Sequence, residues 1–233
     1  MCHQSCIDFG NKFIKEDYVK GKTVIEVGAC QVNGSLRSIA ESFRPYNYIG
    51  VDIKNGPGVD LVCNAENLID KFGYNKFDIV ICSELLEHVR NWKKVIHNLK
   101  QILRPDGILI ITTRSRGTGY HAFPCDYWRY EISDMKALFS DFNILVLESD
   151  PSIMPGVFFI GMKPGSFHEN KLNRYNLFSI LTGIKTPIFL INIYGLICYK
   201  IRTTIIGSYY YIGHLNEISG MIKRKIDKTH KDK

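Results

Sequence analysis

The stretch that most constrains this chain is Lys76-Phe77-Asp78-Ile79-Val80-Ile81-Cys82-Ser83, a β-prone run that is apolar almost throughout and lacks an alternating polar face. A strand of that kind is buried on both sides, as in a parallel sheet covered by helices above and below. The neighbouring sequence supplies the partners. Thr23 to Val27 is a second β-prone run, followed by a small, polar loop and then by Leu36, Ile39, Ala40 and Phe43 at helical spacing. Tyr46 to Asp52, Val59 to Cys63 and Ile108 to Thr113 are further strands. Asn64-Ala65-Glu66 opens a helix, Trp92 to Leu103 forms another with one apolar face, and Arg104-Pro105-Asp106-Gly107 is a turn. Strands alternating with helices in this way predict a doubly wound α/β sheet.

Ligands of such sheets bind at the carboxyl ends of the strands. The first strand ends in Glu26 and Gly28, and the second ends in Asp52, 26 residues after Glu26. An acidic side chain at that second strand end accepts hydrogen bonds from ribose hydroxyls in nucleotide-binding units. The glycine loop is not the dinucleotide fingerprint, because Cys30 and Val32 stand where its second and third glycines belong. An ordinary strand-to-helix turn, a solvated Asp52 and an Asn64 that merely caps its helix are the plainer alternatives at these three places.

Taken together, Val24-Ile25-Glu26-Val27-Gly28, Gly50-Val51-Asp52-Ile53, Phe77-Asp78-Ile79-Val80, Glu84-Leu85-Leu86-Glu87-His88-Val89 and Leu103-Arg104-Pro105-Asp106-Gly107 resemble the successive motifs of class I S-adenosylmethionine-dependent methyltransferases, in order, from about Thr23 to Lys163. The resemblance implies a Rossmann-like seven-stranded sheet, mostly parallel with one antiparallel strand and helices on both faces. A helix near Ser133–Phe139 and strands near Phe142–Glu148 and Val157–Met162 complete it. Glu26, Gly28, Asn33 and Gly34 would then lie along the amino acid portion of S-adenosylmethionine. Asp52 would hold the ribose, Ile53 would flank the adenine, Ala65 and Glu66 would approach its edge, and Ser83 and Glu84 would line the methionine side. The implied reaction is in-line displacement of the methyl group by an acceptor atom, leaving S-adenosylhomocysteine. A non-catalytic binding or assembly subunit of the same fold is the alternative, and a nucleic-acid methyltransferase is a further one.

Arg114 to Tyr130 is too long for a mere connector and is rich in aromatic and ionisable groups. Its Pro-x-Asp-Tyr-Trp-Arg-Tyr string resembles a subgroup of small bacterial methyltransferases thought to act on saccharides or other cell-surface metabolites. The segment offers His121 as a base and Asp126 to orient it or the substrate. His88, Tyr127, Trp128 and Arg129 are candidates for substrate contact. A lid packed by aromatics around a structural Arg–Asp pair explains the same residues.

The net charge of +7 lies entirely in the tail: residues 1–163 hold 19 basic and 19 acidic side chains, and residues 164–233 hold 11 and 4. A balanced charge around the site argues against nucleic acid and toward an anionic surface met by the tail, and the small-molecule or glycan acceptor is what the resemblance implies. Pro164-Gly165-Ser166 is read as closing a methyltransferase domain of residues 1–164, with an amphipathic helix over residues 7–20. Residues 165–233 form a basic, partly apolar and mainly helical extension. Its cleanest apolar run, Ile188 to Tyr199, is too short to span a bilayer. Apolar residues beside a polybasic end suit an anionic membrane surface, and a homodimer face or a cap on the domain is the other expectation. Seven scattered cysteines and the want of an apolar leader suit the cytoplasm, with peripheral contact at the inner face of the membrane. Cys2, His3 and Cys6 have no partner pair downstream, so no metal site is expected of them.

Overall fold

The computed structural model describes residues 3–31, 34–121, 125–150 and 152–187 of the chain. Its elements are α1 (Gln4–Phe13), α2 (Glu16–Val19), β1 (Thr23–Val27), α3 (Arg37–Ser42), β2 (Asn47–Asp52), β3 (Leu61–Val62), α4 (Leu68–Phe72), β4 (Phe77–Ser83), α5 (Trp92–Ile102), β5 (Leu103–Arg114), β6 (Trp128–Arg129), α6 (Ile132–Leu138), β7 (Asn143–Asp150), β8 (Gly156–Met162), β9 (Leu177–Ser179) and β10 (Lys185–Thr186). Two 3-10 turns, Ala65–Asn67 and Leu86–His88, precede α4 and α5.

Seven strands form one sheet in the order β3-β2-β1-β4-β5-β8-β7. Strands β3, β2, β1, β4 and β5 pair in parallel, and β8 runs antiparallel to both β5 and β7, so it is the one reversed strand. The apolar run that singled out β4 lies in the middle of the sheet, with Ile79, Val80, Ile81 and Cys82 at most 1% exposed. One face of the sheet packs Val24, Ile79, Ile81, Ile110 and Ile160 against Cys6, Phe9, Ile14 and Val19 of the N-terminal helices and Leu36 and Ala40 of α3. Val95, Ile96, Leu99 and Ile102 form the buried stripe of α5. Chain reversal between β1 and β4, with right-handed crossovers, puts α3 and α5 on opposite faces.

Three details differ from the sequence reading. The helix expected over residues 7–20 is two helices, because Ile14 and Lys15 are extended; that kink lets Phe9, Ile14 and Val19 all reach the core. The Arg104–Gly107 turn is a bulge inside β5: Leu103 pairs with Phe77 and Ile108 with Ile79, while Asp106 takes φ +61°. Residues 165–187 contribute strands where helix was expected. There β9 pairs antiparallel with β6 and with β10, and the Tyr175 hydroxyl and Lys185 Nζ donate to Asp134 at 2.8 and 2.6 Å. Residues 188–233, which carry the expectations of membrane contact and of a dimer face, lie outside the described residues. Among the described residues no helix is long and apolar enough to cross a membrane.

A buried cation fastens α5 to the far side of the domain. Lys100 is fully buried, and its Nζ donates to Leu138 O at 2.7 Å, to both Asp141 oxygens at 2.9 and 2.7 Å, and to Asn170 Oδ1 at 2.9 Å. Breaking such a pair strands the surviving charge away from water. Lys100→Met is expected to lower unfolding free energy by about 3–5 kcal/mol in urea titration, and Lys100→Met combined with Asp141→Asn to recover part of that loss.

Candidate functional site

Parallel pairing brings the carboxyl ends of β1, β2, β4 and β5 to one edge. Gly28 turns the chain there with φ +86°, a conformation that side chains resist, and a Cβ at this position would stand 3.1 Å from Leu85 Cβ. The Gly28 and Ala29 N–H groups donate to Val51 O at 2.9 and 3.0 Å, and the Cys30 N–H donates to the Asp52 carboxylate at 3.2 Å. The residue that departs from the glycine pattern therefore ties the first loop to the end of β2. Gly34 follows with φ +123°, whereas Val32 and Asn33 lie outside the described residues.

Asp52 is half-buried, and its other oxygen accepts the Lys54 N–H at 3.3 Å, so lone pairs remain for a ligand. Ile53 beside it is 62% exposed, an apolar surface at the strand end. Ala65 is buried and Glu66 half-buried at the next turn, where Asn64 Oδ1 accepts the Glu66 N–H at 2.9 Å, the plain capping role. Glu26 is turned inward. Its carboxylate accepts the Ser35 hydroxyl at 3.1 Å and the Tyr48 hydroxyl at 2.9 Å, and burial pushes its pKa up to about 7 against those two hydrogen bonds.

Ser83 and Glu84 close β4 and are both 5% exposed. Glu84 takes φ +52°, and its N–H donates to Thr112 O at 2.8 Å. Its carboxylate pairs with the Arg114 guanidinium at the end of β5. Burial, then the neighbouring Glu87, raise the Glu84 pKa, and Arg114 opposes them. Arg114 also reaches Asp150 at 3.1 Å and Met154 O at 2.6 Å. Sequence reasoning missed Arg114 and Asp150 as partners; the available signal was an arginine ending an otherwise apolar strand.

The segment after β5 folds against the turn after β4. The Tyr127 N–H donates to Glu87 O at 2.8 Å, the Trp128 indole to Arg90 O at 3.2 Å and the Tyr130 hydroxyl to Leu86 O at 3.2 Å. Trp128 and Arg129 are 0% and 2% exposed, so they form the inside of this lid, while Tyr127 is half-buried. The Arg129 guanidinium donates to both Asp126 oxygens at 2.5 and 2.8 Å and to the Thr118, Gly119 and Trp128 carbonyls, which leaves it no donor for an anionic substrate. This is the Arg–Asp pair of the lid reading.

Asp126 in turn accepts the His121 N–H at 3.1 Å and lies 3.2 Å from His121 Nδ1. Burial would raise the Asp126 pKa, but Arg129 and His121 hold it well below the carboxylate range. Burial would lower His121, but Asp126 outweighs it and holds the imidazole above its ordinary value. The His121 ring stands edge-on to His88 with centroids 4.9 Å apart, and both are half-buried. Glu87, fully buried below them, was not singled out from the sequence. Thr113 donates to its Oε2 at 2.9 Å.

A family profile described as a methyltransferase domain matches residues 3–138. The chain belongs to that family. A ubiquinone biosynthesis O-methyltransferase from Actinobacillus pleuropneumoniae is 30% identical over 114 residues, covering 41% of this chain and 47% of the relative. The chain thus spans about half the length of that relative. Among solved structures, the Burkholderia thailandensis 1,6-didemethyltoxoflavin-N1-methyltransferase, bound to 1,6-didemethyltoxoflavin and S-adenosylhomocysteine, superposes with a TM-score of 0.55 at 17% identity, over 66% of this chain and 76% of that one. An S-adenosylmethionine-dependent methyltransferase from Mesorhizobium loti gives 0.53 at 14% identity, over 68% and 98%. Both likenesses concern the fold.

Glu26 gives this methyltransferase domain a pH signature. Its folded pKa of about 7 lies above the ordinary 4.5, so the folded state binds the extra proton between those values. Stability contributed by the protonated form is complete below the ordinary value and is lost as pH rises through the folded one. Thermal denaturation from pH 4.5 to 8 is expected to find Glu26→Gln free of that decline, which in the parent amounts to on the order of 2–3 kcal/mol.

Proposed function

We propose that the chain transfers a methyl group from S-adenosylmethionine to a small-molecule or glycan acceptor, with the cofactor along the β1–β2 edge and the acceptor beneath the segment that follows β5. The observation that supports this reading is a half-buried Asp52 carboxylate with spare lone pairs beside the exposed apolar Ile53 at the end of β2, with a His121 ring held by Asp126 in the segment that follows β5. The donor set fits the cofactor: a carboxylate for vicinal hydroxyls, an apolar side chain for a purine face, and glycines at Gly28 and Gly34 that let backbone approach a ligand. Bound S-adenosylmethionine supplies an electrophilic methyl on a sulfonium leaving group.

The chain itself has to align the acceptor and manage its proton. Asp126 fixes the His121 ring, and His121 and His88 together stand where that proton is lost. Trp128 and Arg129 hold the lid's shape from inside, which leaves Tyr127 and His88 to meet the acceptor. The balanced charge of residues 1–163 favours a small molecule or glycan over a nucleic acid. A non-catalytic subunit with this fold would bind cofactor without turnover.

Isothermal calorimetry with S-adenosylhomocysteine tests the cofactor end. Asp52→Ala, which removes hydrogen bonds to a charged group, is expected to weaken binding roughly 10- to 100-fold. An Asp52→Ala protein that binds as tightly as its parent would overturn this placement.

A further inference from the structure

The two histidines at the acceptor end share a geometry that deprotonation alone does not explain. His88 Nδ1 lies 2.6 Å from Cys125 O, a carbonyl that only accepts, so this nitrogen carries a hydrogen and the neutral ring keeps its lone pair on Nε2. His121 Nδ1 lies 3.2 Å from both the Gly119 carbonyl and the Asp126 carboxylate, which assigns its hydrogen in the same way. Glu87 is 0% exposed, and its Oε1 has no hydrogen-bond partner among the described residues. That oxygen stands 3.9 Å from His88 Nε2, too far for a hydrogen bond. One ligating atom from each of Glu87, His88 and His121 lies within 4.8 Å of the other two.

Ligating atoms this close together, one of them a buried carboxylate oxygen, are offset by something positive between them. We propose that Glu87, His88 and His121 bind one divalent transition cation of the Zn²⁺ or Mn²⁺ kind. Two imidazoles and one carboxylate form a three-ligand set that leaves coordination positions open. The outer contacts match those of metal-ligating histidines, whose second nitrogen donates to a carbonyl or a carboxylate. Here Cys125 O serves His88 and Asp126 serves His121, while the Thr113 hydroxyl holds the other oxygen of Glu87.

The assignment rests on the proposed function only for what the cation does. An acceptor hydroxyl that occupies an open position has its pKa lowered. Its O–H bond breaks with release of the proton to solvent, the new O–CH₃ bond forms, and the S–CH₃ bond breaks to leave a neutral thioether. No oxidant or reductant enters, and His121 then acts by holding the cation.

The test is titration of chelator-treated full-length protein with Zn²⁺ or Mn²⁺ alone, followed by calorimetry. The parent is expected to bind one equivalent. His121→Asn, at a half-buried ring, and Glu87→Gln are each expected to weaken this at least 10-fold. His97→Asn, in a half-buried pair of α5 with Glu169, is expected to leave it unchanged. Circular dichroism and S-adenosylhomocysteine affinity are measured on every variant. A parent that takes up no cation, or His121→Asn and Glu87→Gln proteins that bind it as the parent does, overturns the metal site. Cation binding without any S-adenosylhomocysteine binding overturns the methyl-transfer reading and leaves the metal site standing.

Discussion

The Arg114 guanidinium, fully buried at the carboxyl end of β5, is the contact on which the arrangement of the strand ends depends. It joins Glu84 at the end of β4, Asp150 at the end of β7, the Met154 carbonyl ahead of β8 and Cys6 of α1. A buried charge without partners is far costlier than a broken surface pair, so these pieces have to stay together. The left-handed turn at Glu84, which a side chain adopts only when its surroundings compel it, follows from that demand. The turn then directs the Leu86–His88 segment under the lid.

A second buried pair does the same for the lid. Asp126 and Arg129 satisfy one another and the carbonyls of residues 118 and 119, and the loop closes around them as a small core of its own. Strand β6, which carries Arg129, is extended by β9 and β10 from residues beyond 164. The Ile180 N–H donates to Tyr127 O at 2.9 Å. The packing around Tyr127 and β6 therefore draws on three separate parts of the chain: the turn after β4, the segment after β5, and residues 177–186.

The sheet was legible because its signals are local. Hydrophobic period and strand length identify β1, β2, β4 and the far end of β5 within a residue, the resemblance placed β7 and β8 within two, and the burial of α5 follows from its 3.6-residue stripe. The strand-end edge was legible for a related reason: in a parallel sheet the residue that ends a strand is placed by topology alone, which put Gly28, Asp52 and Ser83 at one edge before any contact was known. The lid was ambiguous because one string of residues suits either a substrate clamp or a packed hairpin. The Arg129 donors all go to Asp126 and to backbone carbonyls, as a packed hairpin requires.

The sequence by itself determined the doubly wound sheet and the residues at its strand ends, because these depend on periodicity and chain order, while the one antiparallel strand was implied by the family resemblance. Only the tertiary structure decided that Glu26 is spent on Ser35 and Tyr48, that Arg114 gathers the strand ends, and that Glu87 lies beneath His88 and His121. Those facts depend on which buried polar groups find partners. Such pairings join residues 9 to 36 positions apart, and a spacing that neither the helix nor the strand period governs leaves no local trace in the chain.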